Sequence, residues 1–280
     1  MKPNIALMLL LALCNLPAAK AETNEIGAMT FNLRVPIDPP PYDWPSRLPR
    51  AIAIIQQQAP DFIGVQEVSP AMMQDLRIAL PAYVAVGRGR ETGGKGEATP
   101  ILFLQDRWEL DKRDQGTLQL SPTPEVPGSN GWNMQWPRIF TWVHLREKKT
   151  GKSLYVFNTH FPLLAKERDL SAQLLAKTIA ERKYPHDPVI LTGDFNACDE
   201  EASMGYLRGM GGSPLTMTDT YRWLHPNKKV GTFHDFGRVD SCKIDYVYLL
   251  GSLKIISSQV VSENSNFSSD HYAVMAKLRF

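Results

Sequence analysis

The sequence predicts an α/β protein in which short strands alternate with longer helical patterns. Runs rich in Val, Ile, Phe and Tyr are separated by segments that have the apolar spacing of helices. The composition is that of an ordinary globular chain, because 43% of its 280 residues are hydrophobic, 21% are charged and only 3 are cysteines. These proportions exclude a disordered chain, a collagen, a coiled coil and a small disulfide-rich scaffold.

Ten segments have the residue content of strands. In chain order they are residues 28–33, 61–66, 83–87, 100–105, 138–146, 153–159, 188–192, 244–250, 254–261 and 272–278. Two segments between them carry apolar residues at helical spacing, so each is expected to pack one face on the core. The first contains Leu48, Ala51, Ile52 and Ile55 after the candidate N-cap Ser46, and the second contains Leu170, Leu174, Leu175 and Ile179.

Two long loops lie between these elements. Residues 88–98 contain four glycines, and residues 121–137 contain four prolines together with Trp132 and Trp136. Loops of this length are uncommon unless they serve a site or are mobile. The glycine loop lacks the G-x-G-x-x-G spacing of a dinucleotide-binding motif. No repeat and no linker divides the chain, so we expect one domain over residues 22–280.

Residues 1–21 have the pattern of a secretory signal peptide. Lys2 precedes a nine-residue apolar run, and Ala19-Lys20-Ala21 resembles a cleavage site. A helix that crosses a bilayer needs about 20 apolar residues, so this run is too short to span. We therefore expect a secreted or periplasmic protein. An uncleaved anchor and a lipoprotein attached through Cys14 are the alternatives.

The chain is electrically neutral once this segment is removed. Loss of Lys2 and Lys20 lowers the basic count from 31 to 29, which equals the 29 acidic residues. No global field would attract nucleic acid, so a polyanion would have to bind through local groups. Cys198 and Cys242 remain as an even pair, which can form a disulfide in an oxidising compartment or stay as two buried thiols.

Carboxylate, amide and histidine side chains stand at the ends of the predicted strands. A strand that ends on a polar residue delivers it to the rim of the sheet, where distant segments can assemble one site. Each residue alone could cap a turn or a helix, but seven such positions are difficult to explain in that way. The positions are Asn32, Glu67, His160, Asp194, Asn196, Asp245 and the pair Asp270-His271.

Asp245 differs from the others because Ile, Tyr and Val residues flank it. A charge in such surroundings would be unfavourable unless it were paired. His271 and His160 are the candidate partners.

These segments resemble the motifs of the endonuclease/exonuclease/phosphatase superfamily, the deoxyribonuclease-like metal-dependent phosphoesterases. The resemblance spans nearly the whole chain after residue 21 and implies a four-layer sandwich, with two mixed sheets face to face and helices outside. The matching segments, in family order, are Thr30-Phe31-Asn32, Gly64-Val65-Gln66-Glu67, Asn158-Thr159-His160, Thr192-Gly193-Asp194-Phe195-Asn196, Ile244-Asp245-Tyr246 and Ser269-Asp270-His271. Bacterial members also share Pro137-Arg138 and Gly231-Thr232-Phe233-His234.

The resemblance implies a metal site for a hard divalent cation. Glu67 would be the principal ligand of Mg²⁺ or Mn²⁺, with Ca²⁺ as a further candidate. Asp270 would contribute directly or through water, and Asn32 would tie the metal to the phosphate. Oxygen ligands are those that Mg²⁺ prefers, and a cation among carboxylates lets an anionic substrate approach.

The resemblance also implies catalytic roles. Asp194, helped by Asn196, would orient or deprotonate the attacking water. His160 and His271 would be cationic donors to the phosphate oxygens, and Asp245 would keep His271 oriented and charged.

Five further residues are candidates for substrate binding. They are Arg138, His234, Glu97, Trp132 and Trp136. The tryptophans could stack on bases, enter a lipid interface or simply pack under their loop. A salt bridge with a neighbour is the alternative for the arginine. The implied fold would bring Cys198 and Cys242 together at one rim, and we hypothesise a disulfide there.

We therefore expect a monomeric, secreted, metal-dependent hydrolase that attacks phosphate esters in line with an activated water. A phosphodiester is the expected substrate, whether nucleic acid, a phospholipid head group or a small diester, and no protein partner is expected. A phosphomonoesterase of a small molecule and a non-catalytic binding protein on the same fold are the alternatives.

Overall fold

The part of the chain that the structure describes contains twelve strands and five α-helices. The computed structural model describes residues 24–280, so the signal peptide predicted over residues 1–21 lies outside the described residues. The strands are β1 (Glu25–Asn32), β2 (Phe62–Gln66), β3 (Tyr83–Val86), β4 (Ile101–Leu104), β5 (Trp108–Gln119), β6 (Ile139–Glu147), β7 (Ser153–His160), β8 (Val189–Asp194), β9 (Thr218–Asp219), β10 (Asp245–Leu250), β11 (Lys254–Val261) and β12 (Ala273–Arg279).

The helices lie in the connections between strands. They are α1 (Trp44–Gln58), α2 (Pro70–Ala79), α3 (Ala165–Ala180), α4 (Ala202–Leu207) and α5 (Thr220–Leu224). Among residues 24–280, no helix combines the length and the apolar character that a membrane span requires.

The strands form two mixed six-stranded sheets. The first sheet has the order β11-β12-β1-β2-β4-β3, and the second has the order β5-β6-β7-β8-β10-β9. The central pairs β1–β2 and β7–β8 are parallel, and the other neighbours are antiparallel. Parallel neighbours end at the same edge of a sheet, so each sheet delivers two carboxyl ends to one rim.

Apolar side chains form three layers of core around the two sheets. The core between the sheets includes Phe62 from the first sheet and Val156 and Val247 from the second. Helices α1 and α2 cover the outer face of the first sheet, where Ile55 and Leu76 pack. Helices α3 and α4 cover the outer face of the second. The four-layer sandwich that the resemblance implied is therefore confirmed.

A polar cluster joins the two sheets below the rim, and it consists of Thr30, Gln66, Asn158 and Thr192. Gln66 Nε2 lies 2.7 Å from Asn158 Oδ1 and 3.1 Å from Thr30 Oγ1. Asn158 Nδ2 donates in turn to the carbonyl of Val65 at 2.8 Å, across the interface between the sheets. All four residues are fully buried, and we call them the intersheet polar cluster.

The intersheet polar cluster requires glycine at position 64. A Cβ atom there would lie 2.0 Å from Thr192 Oγ1 and 2.5 Å from Asn158 Oδ1. The sheets approach so closely at this point that no side chain fits.

The structure differs from the predicted elements in several places. Strand β5, the short strand β9 and helices α2, α4 and α5 were not predicted. Helix α1 begins at Trp44, with Asp43 as its N-cap, so the prediction of Ser46 as the cap was wrong. Pro45 accounts for this start, because proline is favoured in the first turn of a helix.

Candidate active site

The polar residues predicted at strand ends meet at one rim formed by both sheets. Asn32 ends β1, and Glu67 follows the adjacent parallel strand β2. His160 ends β7 and pairs in register with Asp194, which ends β8. Asp245 begins the antiparallel strand β10 opposite Asp194. The topology therefore gathers residues that are far apart in the sequence.

Asn32 connects acidic residues from the two sheets. Its Nδ2 group donates to Glu67 Oε1 at 3.1 Å and to Asp194 Oδ2 at 2.9 Å. Its Oδ1 atom accepts from the backbone N–H of Arg34 at 2.9 Å. Glu67 is held in the left-handed region, with φ of 61°, and its second oxygen accepts from the backbone N–H of Val35 at 2.8 Å. The amide of Asn32 thus sets the orientation of both carboxylates.

Asp194 is buried at the centre of the rim. Burial, reinforced by the charge of Asp245, raises its pKa to about 7. The backbone N–H of Asn196 donates to Oδ1 at 2.9 Å, and His160 Nε2 lies 3.4 Å from Oδ2. A carboxylate with this pKa can exchange a proton near neutral pH, as a general base must.

Asp245 and His271 form a buried pair, with 2.9 Å between Oδ2 and Nδ1. Burial alone would lower the pKa of His271, but the charges of Asp245 and Asp194 outweigh it and raise the pKa to about 10. The ring is therefore an imidazolium at neutral pH, and its Nε2 atom lies 3.8 Å from Asp194 Oδ2.

The second histidine of the rim carries no charge at neutral pH. Burial, together with the nearby charges of Arg138 and His271, holds the pKa of His160 well below its usual range. The sequence suggested two cationic donors, whereas the structure provides one imidazolium, His271, and one neutral imidazole, His160.

Glu67 and Asp270 offer the oxygen ligands expected for a hard divalent cation. Burial raises the pKa of Asp270, and the charge of Glu67 contributes in the same direction. Arg34 lies nearby, with Nη1 3.5 Å from Asp270 Oδ2. A dication would stabilise the buried carboxylate of Asp270 beside the half-buried carboxylate of Glu67, so the residues fit Mg²⁺ or Mn²⁺.

A second group could also hold a metal by distance alone. One ligand atom from each of Asp194, Asp245 and His271 lies within 4.8 Å of the others. However, Asp245 occupies His271 Nδ1 with a hydrogen bond, and an imidazolium has no free lone pair for a metal. These three residues are better suited to proton transfer and charge stabilisation.

A cavity of about 530 Å³ opens above the rim, and we call it the catalytic cavity. Arg138 lies on its wall beside His160 and is only 8% exposed. Within residues 24–280 its guanidinium makes no hydrogen bond and no ion pair with another side chain, so the salt bridge considered as an alternative is absent. An unpaired guanidinium beside a catalytic rim is suited to bind a phosphate oxygen.

Glu97 also lines the catalytic cavity, where it pairs with an arginine. The distance from Arg90 Nη2 to Glu97 Oε1 is 2.7 Å. Sequence reasoning missed Arg90 and Arg34, which both line the cavity. Arg90 lies within the glycine loop, where no strand pattern marks it. Arg34 directly follows the predicted strand 28–33 but is not a carboxylate, amide or histidine, the side-chain types that were considered there.

Two of the predicted substrate-binding residues, His234 and Trp132, do not line the catalytic cavity. His234 stacks on Tyr272 with 4.0 Å between ring centroids, and its Nδ1 accepts from the backbone N–H of Gly237 at 3.2 Å. Trp132 packs against the core below its loop. By contrast, Trp136 is 46% exposed and lines the catalytic cavity.

Cys198 and Cys242 are joined as a disulfide, with 5.7 Å between their Cα atoms. Cys198 follows the loop after Asp194, and Cys242 precedes Asp245. The bond therefore connects the two segments that carry these acids.

The chain is similar to a known protein family and to solved structures. The model of the Endonuclease/Exonuclease/phosphatase family matches residues 29–271. The crystal structure of an endonuclease/exonuclease/phosphatase from Bacteroides vulgatus is 31% identical with a TM-score of 0.81, over 91% of this chain and 99% of that one. A mannosyl-6-phosphatase from Bacteroides thetaiotaomicron is 28% identical with a TM-score of 0.81, over 91% of this chain and 100% of that one.

One curated relative was found by sequence. An uncharacterized protein of Acanthamoeba polyphaga mimivirus is 28% identical over 166 residues. The match covers 57% of this chain and 61% of that protein.

Proposed function

The chain belongs to the endonuclease/exonuclease/phosphatase family, and on that premise we propose that it is a divalent-metal-dependent hydrolase of phosphate esters. The observation that carries the proposal is the position of Asp194. Its carboxylate accepts from Asn32 at 2.9 Å and lies within 4 Å of both histidines of the rim. A buried base beside an imidazolium suits the attack of water on an anionic ester.

Glu67 and Asp270 would hold the cation, and Asn32 would orient the ligand Glu67. Bound Mg²⁺ or Mn²⁺ would neutralise negative charge on the phosphate and make bound water more acidic. Ca²⁺ binds the same kind of oxygen ligands and is a third candidate.

The other side chains of the rim act on the attacking water and on the phosphate oxygens. Asp194 accepts the proton of the attacking water, and the backbone N–H of Asn196 holds its other oxygen. His271 donates from Nε2 to a nonbridging phosphate oxygen, while Asp245 holds Nδ1 and maintains the positive charge. Arg138 and the neutral His160 donate to the remaining oxygens from the wall of the catalytic cavity.

A phosphodiester stays our expected substrate, and a small phosphomonoester is a second candidate that two observations favour. The guanidinium of Arg138, which has no partner among the described side chains, and the imidazolium of His271 both line the catalytic cavity, and a dianionic monoester needs more positive charge than a diester. A similar protein, 28% identical over its whole length, is a mannosyl-6-phosphatase. The predicted signal peptide and the disulfide support action outside the cytoplasm.

The experiment that tests this proposal measures hydrolysis of 4-nitrophenyl phosphate and bis(4-nitrophenyl) phosphate with Mg²⁺ or Mn²⁺ and with chelator. We expect turnover that chelator abolishes, and the preferred ester identifies the substrate class. Asp194→Ala should fold and bind metal but lose at least about 10²-fold in kcat, because the base is gone. Asp240→Ala, at an exposed acid, is the matched control. Unchanged hydrolysis by Asp194→Ala would refute the assignment, and no turnover by wild type would favour a binding protein.

A further inference from the structure

A second, smaller cavity adjoins the catalytic cavity. It has a volume of about 200 Å³ and shares Trp136, Arg138 and Leu163 with the catalytic cavity. Ligand pockets for drug-sized molecules have volumes of about 300–1,000 Å³, so this one holds a single small ring or chain. Because Arg138 lies on both walls, a group in the small cavity would be attached close to a phosphate in the large one.

A glutamate that makes no hydrogen bond or ion pair with the described residues lines the small cavity. Glu167 is 6% exposed, and among residues 24–280 its carboxylate makes no hydrogen bond or ion pair. Its neighbour Arg168 donates from Nε to Glu201 Oε2 at 3.0 Å, so that guanidinium is already paired. Glu167 lies in the first turn of α3, where the helix dipole stabilises a negative charge but does not supply the missing hydrogen bonds. A carboxylate that lines a cavity and makes no hydrogen bond or ion pair with the described residues is available to accept from a ligand.

The other walls restrict the chemistry of that ligand. Trp136 is 46% exposed and Leu163 is 60% exposed, so both present apolar surface. Arg138 lines the same cavity as the acceptor Glu167 and contributes a donor without a partner among the described side chains. A hydroxyl group can donate to a carboxylate and accept from a guanidinium, and the carbon skeleton of a sugar can lie on an indole ring. An ammonium group would be disfavoured beside Arg138, and an acid would be disfavoured beside Glu167.

We propose that the small cavity binds the leaving group of the ester, and that this leaving group is a sugar or another polyhydroxylated carbon skeleton. The hydroxyl groups donate to Glu167 and accept from Arg138, and the apolar face of the skeleton packs on Trp136. This inference rests on the proposed phosphoesterase function and adds the class of alcohol that is released.

The test is a calorimetric titration of Asp194→Asn protein, which should not hydrolyse its ligand, in the presence of Mg²⁺. The probes are mannose 6-phosphate, phosphocholine, a nucleoside monophosphate and inorganic phosphate. We expect mannose 6-phosphate to bind at least about tenfold more tightly than any of the others, because its hydroxyl groups form hydrogen bonds to charged side chains. Adding Glu167→Gln or Trp136→Ala should remove most of this advantage and leave the affinity for inorganic phosphate within about twofold.

The titration includes a control variant and a second test variant. Lys166→Gln changes an exposed neighbour of Glu167 and is the matched control. If Glu167→Gln fails to fold, Trp136→Ala gives the same comparison from a partly exposed position.

Three results would overturn the proposal. They are equal affinity for mannose 6-phosphate and inorganic phosphate, tightest binding of phosphocholine, or an advantage that both variants retain. Tighter binding of a nucleoside monophosphate that depends on Trp136 but not on Glu167 would assign the cavity to a base instead. Hydrolysis of 4-nitrophenyl esters by wild-type protein is measured in parallel. Its absence would contradict the phosphoesterase function, while the titration would still decide what the small cavity binds.

Discussion

Neighbouring charges give the two equally buried histidines at the rim different charge states. Both rings are about 5% exposed, but His271 has Asp245 at 2.9 Å, whereas the cations Arg138 and His271 act on His160. The same burial therefore gives one imidazolium and one neutral imidazole. A phosphate bound between them meets one charged and one neutral donor.

The pH dependence of hydrolysis should report the ionisation of Asp194 and of His271. We expect kcat/KM to rise as the pH increases through about 7, because Asp194 must lose its proton to act as a base. It should fall as the pH passes about 10, because His271 then loses its positive charge. In Asp245→Asn the falling limb should move to lower pH, since the carboxylate that raises the pKa of His271 is removed.

Initial rates across both limbs check this prediction, with Asp240→Asn as a control at an exposed acid. An alkaline limb that stays in place in Asp245→Asn would show that His271 does not depend on this partner.

At the same scale, the sequence indicated most of the rim but not its electrostatics. Asn32, Glu67 and Asp194 stand at the ends of recognisable strands, so their positions could be predicted. The neutral state of His160 depends first on burial, which lowers its pKa, and then on the charges of Arg138 and His271, and neither influence can be read from its neighbours in the sequence. Nothing local in the sequence marks Glu167, because only the folded chain shows that its side chain lines a cavity without a hydrogen bond or ion pair to the described residues.

At the level of elements, the disulfide holds together the ends of β8 and β10. Strand β8 ends at Asp194 and strand β10 begins at Asp245, and these residues face each other in register. The Cys198–Cys242 bond lies just beyond this pair. It therefore restrains the point where the two acids must stay close despite their repulsion.

We expect Cys198→Ser combined with Cys242→Ser to lower the free energy of unfolding. The bond joins residues 44 positions apart, for which the loop-entropy model gives about 4 kcal/mol. Urea unfolding of the variant and of wild type, without reductant, measures the difference. Wild type with reductant should behave like the variant. Equal stability of oxidised wild type and variant, or two free thiols in unreduced wild type, would contradict the prediction.

Two of the elements that were not predicted, β5 and α2, were missed for different reasons. Strand β5 reads Trp-Glu-Leu-Asp-Lys-Arg-Asp-Gln-Gly-Thr-Leu-Gln, and its charged residues suit an edge strand rather than a buried one. Its pairing with β6 is also interrupted between Leu110 and Gln115, which breaks the alternation. Helix α2, by contrast, had a readable start, since Ser69 is its N-cap and Pro70 is its first residue.

At the level of the whole molecule, the intersheet polar cluster fixes how the two sheets meet below the active site. Asn158 of the second sheet bonds to the backbone and side chains of the first. Periodicity alone could predict the strands but not which sheet faces which, so the sandwich followed only from the family resemblance. Gln66 and Asn158 appear in the sequence as polar interruptions of apolar strands, and their role becomes clear only when both sheets are present.

We expect Asn158→Ala to destabilise the protein by about 3 kcal/mol, because Gln66 and two backbone carbonyls lose a buried partner. Chemical unfolding measures this change, and Asn227→Ala at an exposed position is the control. A change as small as that of the control would mean that the sheets are held by apolar packing alone.

The pairing of β1 with β12 has a consequence for when the proposed active site can first be complete. Strand β1 lies between β12 and β2 in the first sheet, and Asp270 and His271 directly precede β12. A nascent chain that has reached only β10 contains Asn32, Glu67, His160, Asp194 and Asp245. It lacks Asp270, the cationic donor His271 and the strand that joins β11 to β1. The proposed active site is therefore complete only after residues 273–279 have been made and have paired with β1, so under the proposed function the gain of hydrolysis would report this last pairing.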